Sequence, residues 1–227
     1  APNPPDGVTI NYLLGPNARG PVTLDIVEAV SGLVLRRYSS DDPEDPPVPN
    51  PNLPGYWIRP PQRLQATPGL HRFVWDVRFA PPALDADQFE YPIAAVVRNT
   101  PKEPRGLLAM PGTYQVRLTV GGRAYRQAVI VRMDPRVKTS VTDLALQYTL
   151  SKAVDDAMRD LQAARKDARQ RQAGPLLATL NAAFSPLPAL FARLQEADAR
   201  PTQTVEAATN AALEKAQAAL AAAKQAP

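Results

Sequence analysis

Residues 67–79 read Thr67-Pro-Gly-Leu-His-Arg-Phe-Val-Trp-Asp-Val-Arg-Phe79, and residues 111–120 read Pro111-Gly-Thr-Tyr-Gln-Val-Arg-Leu-Thr-Val120. In both stretches a Pro-Gly pair precedes a run in which every second residue is apolar, the pattern of a half-buried β-strand. The apolar positions are Phe73, Trp75, Val77 and Phe79 in the first run and Tyr114, Val116, Leu118 and Val120 in the second. We therefore predict two central strands of a β-sandwich.

Further strands are predicted on either side of these two runs. Residues 8–14 alternate as an edge or near-edge strand, and residues 21–30 and 33–38 form a hairpin around Ser31-Gly32, since glycine tolerates a positive φ. Gly121-Gly122 is a strong signal for a two-residue turn into a last strand over residues 123–132. Six or seven antiparallel strands favour an immunoglobulin-like sandwich over a barrel, although the pattern alone does not choose between them.

The distribution of proline divides the chain into two domains. Of the 26 prolines, 21 precede Thr139, and alanine is concentrated after it. We predict an Ig-like β-sandwich domain over residues 1–134, with long Pro-rich loops at residues 39–63 and 80–108, and an α-helical domain over residues 139–227.

The apolar period changes to about 3.6 residues in the second domain, as expected for amphipathic helices. Ser140 and Asp143 resemble a capping box at the start of a helix of about 30 residues. Pro186 and Pro188 predict a break near Ser185, because proline removes a helical donor. A last helix is predicted from Pro201 to near residue 225. Together these segments predict an antiparallel helical hairpin or a three-helix bundle.

Composition narrows the classes of function. The net charge of +4 is modest and the basic residues are interspersed with acidic ones, so we expect no nucleic-acid partner. The absence of cysteine excludes disulfides and zinc-thiolate sites. No run of about 18 apolar residues occurs, so we expect no membrane span. The chain begins at Ala1 without a signal-like segment, which suggests a processed product or an excised piece of a longer protein.

Few residues are candidates for catalysis or metal binding. His71 is the only histidine, and its position at the start of a strand favours a structural role over that of a catalytic base. An acidic cluster could bind a hard cation such as calcium or could be a solvated loop, and it lacks the spacing of a dedicated calcium site. Its members are Asp41, Asp42, Glu44 and Asp45. The pair Asp155-Asp156 is predicted to lie on a helix surface. No cofactor motif is present, so we expect neither a cofactor nor a metal.

Aromatic residues in the long loops provide the candidate binding surface. Tyr56, Trp57 and Tyr91, together with Tyr38, could form a platform that stacks on sugar rings. The alternative is that these rings are buried against the sandwich. We name Tyr56, Trp57 and Tyr91 as candidate contacts to a ligand or partner.

Several segments resemble the C-terminal region of secreted bacterial proteins that carry BNR/Asp-box β-propellers, which are often labelled glycosyl hydrolases or sortilin-like proteins. The segments are residues 67–78, 91–93, 111–118, 133–137 and 197–202, so the resemblance spans both domains in the same order. It implies an Ig-like domain followed by helices, attached after one or two propellers. Pro186 and Pro188 depart from the smoother helix that the resemblance implies there.

The resemblance implies a function without a catalytic residue, since any activity would belong to a propeller and this chain has no Asp-box pattern. We therefore expect a non-enzymatic accessory or interaction module that docks to a β-propeller domain of the same parent protein or to another envelope protein. The resemblance also implies a secreted or periplasmic location. The alternative is a carbohydrate-binding module that contacts glycan through Tyr56, Trp57 and Tyr91.

Overall fold

The structure is a computed structural model that describes residues 6–44, 48, 52–82, 84–85, 88–92 and 97–225. The chain divides into two compact units, the first comprising residues 1–80 and 90–133 and the second comprising residues 81–89 and 134–227. Strands precede helices along the chain, so the predicted order of β followed by α is confirmed. Residues 81–89 lie within a loop that the sequence assigns to the first domain, but they group with the helices.

The first unit contains two antiparallel sheets. Its six strands within the described residues are β1 (Val8–Leu14), β2 (Val22–Glu28), β3 (Val34–Ser39), β4 (Gly69–Trp75), β5 (Gly112–Val120) and β6 (Arg123–Val131). β1 pairs with β4 in a two-stranded sheet, and the other four strands form a second sheet in the order β3-β2-β5-β6. The two sheets therefore differ in width by two strands.

Only one of the two predicted central strands has a neighbour on both sides. β5 lies between β2 and β6, whereas β4 pairs with β1 alone among the described strands. The predicted continuation of this strand to Phe79 is wrong, because β4 ends at Trp75 and Val77 has a φ of 58°. This left-handed conformation is unfavourable for a β-branched residue and interrupts the extended backbone. The side chains of Val77 and Phe79 nevertheless pack against the core, as the alternation predicts.

Both sheets contribute side chains to one hydrophobic core. Its buried members are Tyr12, Leu14, Val22, Leu24, Ile26, Leu35, Leu64, Phe73, Trp75, Ala109, Tyr114 and Val116. Trp75 is completely buried, and its indole Nε1 donates a hydrogen bond to the carbonyl oxygen of Arg78 at 2.9 Å. Because a buried indole N–H needs an acceptor, this bond fixes the ring in the core.

The two predicted hairpin turns have different outcomes. Gly121 and Gly122 have φ values of 55° and 77° and join β5 directly to β6, so this two-residue turn is confirmed. β2, in contrast, ends at Glu28 and β3 begins at Val34, so the turn at Ser31-Gly32 is longer than predicted. A shift in register after Ile26 accompanies the longer connection.

The second unit contains four helices within the described residues. They are α1 (Val141–Gln170), α2 (Gly174–Phe184), α3 (Leu187–Leu194) and α4 (Gln203–Gln225). The predicted long first helix, the break near Ser185 and the last helix are all confirmed. At the start of α1 the hydroxyl of Ser140 accepts a hydrogen bond from the amide of Asp143 at 3.1 Å, as an N-cap does.

One described helical stretch, Gly174–Leu194, is long and apolar enough by composition to cross a membrane, with a mean hydropathy of 1.3. It comprises α2 and α3 with the break between them. The large side chains of Leu180, Phe184, Leu187 and Phe191 are buried within the helical unit. The core helix of a soluble protein satisfies the same criteria of length and composition, so the stretch is weak evidence for a span.

Candidate functional site

A groove with a volume of about 690 Å³ opens in the first unit beside β1. One wall is formed by the consecutive residues Ile10–Leu14 of β1 and by the turn that follows it, and the opposite wall is formed by β5 and β6. The lining residues are Ile10, Asn11, Tyr12, Leu13, Leu14, Gly15, Asn17, Ala18, Arg19, Val116, Leu118, Val120, Gly121, Arg123, Tyr125, Arg126 and Gln127. Because no residue of β4 is among them, the groove borders the edge of β1 that β4 leaves unpaired.

The unequal widths of the two sheets explain why this groove is open. Val116 is in the core, and its direct cross-strand partner on β6 is Gln127, while Leu118 opposes Tyr125. Directly opposed residues lie on the same face of an antiparallel sheet, so Gln127 and Tyr125 lie on the face of β6 that continues the core. Yet both are exposed. Two strands do not cover the inner face of four, and the uncovered part lies at β6.

Hydrogen bonding holds the β1 wall in place. The hydroxyl of Tyr12 donates to the carbonyl oxygen of Gln65 at 2.8 Å and accepts from the amide of the same residue at 2.9 Å. Burial raises the pKa of the Tyr12 phenol, against the smaller effect of the hydrogen bond to Gln65. This neutral anchor leaves the wall without a charge of its own, since the strand Val8–Leu14 contains no ionisable side chain apart from Tyr12.

The charges around the groove are all of one sign. Arg19, Arg123 and Arg126 contribute to the lining, and no carboxylate does, although Arg126 is opposite Arg117 and its side chain lies on the other face of the sheet. The guanidinium of Arg19 donates to the carbonyl oxygens of Pro16 and Ala18, both at 2.8 Å, and that of Arg123 lies 5.2 Å from the ring centre of Tyr125. None of these three arginines pairs with a carboxylate within the described part of the chain. The groove therefore combines an apolar floor with uncompensated positive charge.

The aromatic residues predicted as candidate contacts are only partly brought together. Tyr56 and Trp57 belong to a short 3₁₀ turn over Gly55–Trp57, with ring centres 5.9 Å apart. The carbonyl oxygens of Tyr56 and Trp57 accept hydrogen bonds from the amides of Arg98 and Thr100, both at 3.0 Å. Within the described residues, the ring of Tyr91 makes no ring contact with either. Residues 93–96 of the predicted segment Tyr91–Val97 lie outside the described residues.

The orientation of the two contacting rings does not favour a flat platform. Their planes are inclined by 80°, so one ring presents its edge to the face of the other. The side chain of Tyr56 is exposed, whereas that of Trp57 is half-buried. Stacking on a sugar needs an accessible aromatic face, and here only Tyr56 presents a large exposed area. Tyr38, the fourth ring considered, packs on Phe73 with ring centres 4.6 Å apart.

The candidates for catalysis and metal binding have structural partners. The imidazole Nε2 of His71 lies 2.6 Å from the carbonyl oxygen of Thr67, and its ring contacts that of Tyr12. In the acidic loop, the carboxylate of Asp42 accepts a hydrogen bond from the amide of Ser39 at 2.6 Å, while Asp45 lies outside the described residues. Among the residues that the structure describes, no group of three or more histidine, aspartate or glutamate side chains could hold a metal ion.

The prediction that Asp155 lies on the surface is wrong. Its side chain is buried among the helices, although Asp156 is exposed as expected. Asp155 Oδ2 accepts a hydrogen bond from Arg159 at 3.0 Å, and Oδ1 has no hydrogen-bond partner among the residues that the structure describes. Burial raises the pKa of this carboxyl, although Arg159 opposes the effect. The buried face of α1 is wider than the predicted apolar row and also includes Ser151, which sequence periodicity treats as polar.

Sequence reasoning did not identify the groove, because its walls come from strands that are distant along the chain. One signal was present: β6 begins with Arg123 and, after Ala124, carries tyrosine, arginine and glutamine at consecutive positions, which is typical of an exposed edge strand. That signal identifies an edge but not its surroundings. The pairing of β1 with β4, which leaves a free edge opposite β6, has no local signature.

The comparisons with known proteins do not identify a family. The chain matches no protein-family model, no curated protein and no solved structure.

Proposed function

We propose that this chain is a non-catalytic interaction module, and that its first unit docks to a β-propeller domain of the same parent protein or to another protein partner. The observation that carries the proposal is the groove, which combines the free edge of β1, an apolar floor and two arginines, Arg19 and Arg123, without a described acidic partner. Exposed apolar surface rimmed by polar groups is typical of protein interaction sites. The propeller as partner, and a secreted or periplasmic location, rest on the sequence resemblance alone.

The finer description of the fold belongs to the same proposal. We infer an Ig-like β-sandwich for the first unit, supported by the two sheets that share one core. We infer a three-helix bundle for the second unit, in which α2 and α3 act as one broken helix between α1 and α4. The helices would extend the scaffold or mediate contacts between copies of the protein.

The proposal is tested by capture from the source cell envelope and medium with the full chain as bait. Wild type is compared with Tyr125→Glu, which places a carboxylate in the groove, and with Tyr56→Ala, which leaves the groove intact. We expect wild type and Tyr56→Ala to retain a β-propeller protein, and Tyr125→Glu to retain about tenfold less. Recovery that neither substitution changes would contradict docking through the groove.

The alternative function is carbohydrate binding through the loop aromatics, and the exposed ring of Tyr56 is the observation that favours it. A glycan array separates the two functions. Binding of wild type to defined glycans, with loss in both Tyr56→Ala and Trp57→Ala, would support the alternative, as would capture of polysaccharide without a protein. Turnover of glycosidic or peptide substrates that depends on Asp76 or His71 would contradict a non-catalytic module.

A further inference from the structure

We propose that the groove binds an extended, acidic segment of a partner protein, which pairs as an additional strand with the free edge of β1 and lies over the inner face of β6. This inference rests on the proposed function, because it specifies how the interaction module would engage its partner. It is argued from the geometry of β1, the floor of the groove and the charges at its rim.

The edge of β1 can form the backbone hydrogen bonds that an added strand needs. β1 pairs with β4 through its whole length, from Val8 opposite Trp75 to Leu14 opposite Gly69. In the described part of the chain nothing pairs with its other edge, which lines the groove over Ile10–Leu14. This wall is about 17 Å long, enough for a strand of about five residues. Strand addition at such an edge is a recurrent mode of peptide recognition.

The floor of the groove can receive alternate side chains of that strand. A third strand beside β1 would widen the small sheet towards β6 and cover the inner face of the larger sheet. Leu118 and Val120 are only partly buried and pack at the margin of the core, and Tyr125 is half exposed. Because side chains of a strand alternate between faces, every second residue of the added strand would contact these groups. Apolar residues are expected at those positions.

The charge around the groove determines which partner fits. Arg19 and Arg123, which is opposite Val120 on the inner face of the sheet, line the groove without a carboxylate beside them, so acidic side chains on the added strand would be favoured. A second copy of this chain fits less well. Its β1 offers no carboxylate to Arg19 or Arg123, so self-pairing would leave both charges uncompensated.

The test uses the full chain and a blocked peptide of about seven residues that alternates glutamate and valine. A peptide with lysine in place of glutamate is the charge control, and a glutamate–valine peptide with alternate N-methylated residues is the backbone control. We expect binding of the first peptide to be at least about tenfold tighter than that of either control, and to weaken at high salt. Calorimetry measures affinity, and hydrogen exchange locates the site.

Two variants distinguish the effect of charge in the groove from a general effect of charge reversal on the protein. The substitution Arg123→Glu reverses an exposed charge in the groove and should weaken binding at least about tenfold. Arg132→Glu, at an exposed position one residue beyond β6 and outside the lining, should leave affinity unchanged. On binding, amides within residues 8–14 should exchange more slowly with solvent, because they would gain partners.

Several outcomes would overturn the inference: equal binding of the lysine or N-methylated peptide, no binding of the acidic peptide, unchanged affinity in Arg123→Glu, or binding without protection of residues 8–14. Formation of a dimer that competes with the peptide would assign the groove to a second copy. If the capture experiment still recovers a partner through Tyr125 while the peptides fail, the interaction module stands and only the strand pairing is wrong. If capture fails as well, both are wrong.

Discussion

Asp25 in the middle of β2 accepts two hydrogen bonds from Arg117 of β5, with its Oδ2 at 2.7 Å from Nη2 and 3.0 Å from Nε. Arg37 of β3 binds the same carboxylate from the other side, at 2.6 Å between Nε and Oδ1. The three residues lie directly opposite one another in the strand register. The carboxylate is almost completely buried, so its neutral or charged state depends on these two guanidinium groups.

We expect Asp25→Asn to destabilise the first unit by about 1–3 kcal/mol, because it removes the charge from a buried, charge-assisted hydrogen-bond network. Tryptophan fluorescence during urea unfolding measures this, since both tryptophans, Trp57 and Trp75, belong to the first unit. Glu44→Gln is the control, because that carboxylate is well exposed and its ion pair with Arg63 is long, at 3.8 Å. Equal stability of the two variants would contradict the prediction.

The same carboxylate gives a dependence on pH. Burial by itself raises the pKa of Asp25, but the hydrogen bonds and charges of Arg37 and Arg117 outweigh burial and lower it overall. A lowered pKa in the folded state stabilises the fold above the unfolded pKa of about 4, and this contribution is lost as the pH falls through the folded value. The stability difference between wild type and Asp25→Asn should therefore shrink below about pH 4. A stability difference that grows on acidification would contradict a lowered pKa for Asp25.

Asp155 should make stability depend on pH in the opposite direction. Its pKa is raised in the folded state, chiefly by burial, so its contribution is complete below the unfolded value of about 4 and is lost as the pH rises through the folded value. Relative to Asp155→Asn, wild type should lose stability as the pH rises above about 4. Urea unfolding followed by far-ultraviolet circular dichroism reports on the helical unit. Asp156→Asn, at an exposed position, should not change the profile.

Gly106 and Gly112 provide a matched pair for backbone packing. A Cβ at Gly106 would lie 2.0 Å from the carbonyl oxygen of Phe79, whereas the nearest atom to a Cβ at Gly112 is at 3.8 Å. Backbone atoms do not move aside cheaply, so Gly106→Ala should cost about 2–4 kcal/mol and Gly112→Ala less than about 1 kcal/mol. Tryptophan fluorescence in urea measures both. Similar costs at the two positions would mean that residues 79–80 can shift.

Gln172 directly follows Arg171, the C-cap of α1, and has a backbone conformation that favours glycine. Its φ is 55°, and the amide of Ala173 donates to the carbonyl oxygen of Ala168 at 2.9 Å, as in a Schellman motif. Gln172→Gly should therefore stabilise the helical unit by about 0.5–1 kcal/mol, because glycine adopts this φ without strain. Lys166→Gly, at an exposed position inside α1, should destabilise it by about 1 kcal/mol. Circular dichroism during urea unfolding measures the stability of both variants. A change of the same sign in both would contradict the prediction for Gln172.

The helical unit shows which features local sequence signals can predict. Ser140, Pro186 and Pro201 mark boundaries through caps and missing donors, and all the predicted helical segments are present. The burial of Asp155 was missed for a physical reason. A helix packed by neighbours on more than one side buries a face wider than its apolar row, so polar residues at the margin are buried as well.

The strands show a second limit. Alternation located all six strands of the described first unit, but it extended β4 to Phe79, because it does not detect the left-handed conformation of Val77. Alternation also gives no information on pairing. β4 and β5 have similar patterns, yet one lies at an edge and the other inside a sheet.

For the candidate site, the loop aromatics Tyr56, Trp57 and Tyr91 were visible in the sequence, and the groove was not. The chain alone determined where strands and helices form and where the composition changes, because caps, prolines and apolar periods act over a few neighbouring residues. The tertiary structure decided that β1 pairs with β4, that β6 lies beyond the cover of the smaller sheet, and that Arg19 and Arg123 line one groove. Those outcomes depend on contacts between residues that lie more than fifty positions apart, for which no short stretch of sequence carries a signal.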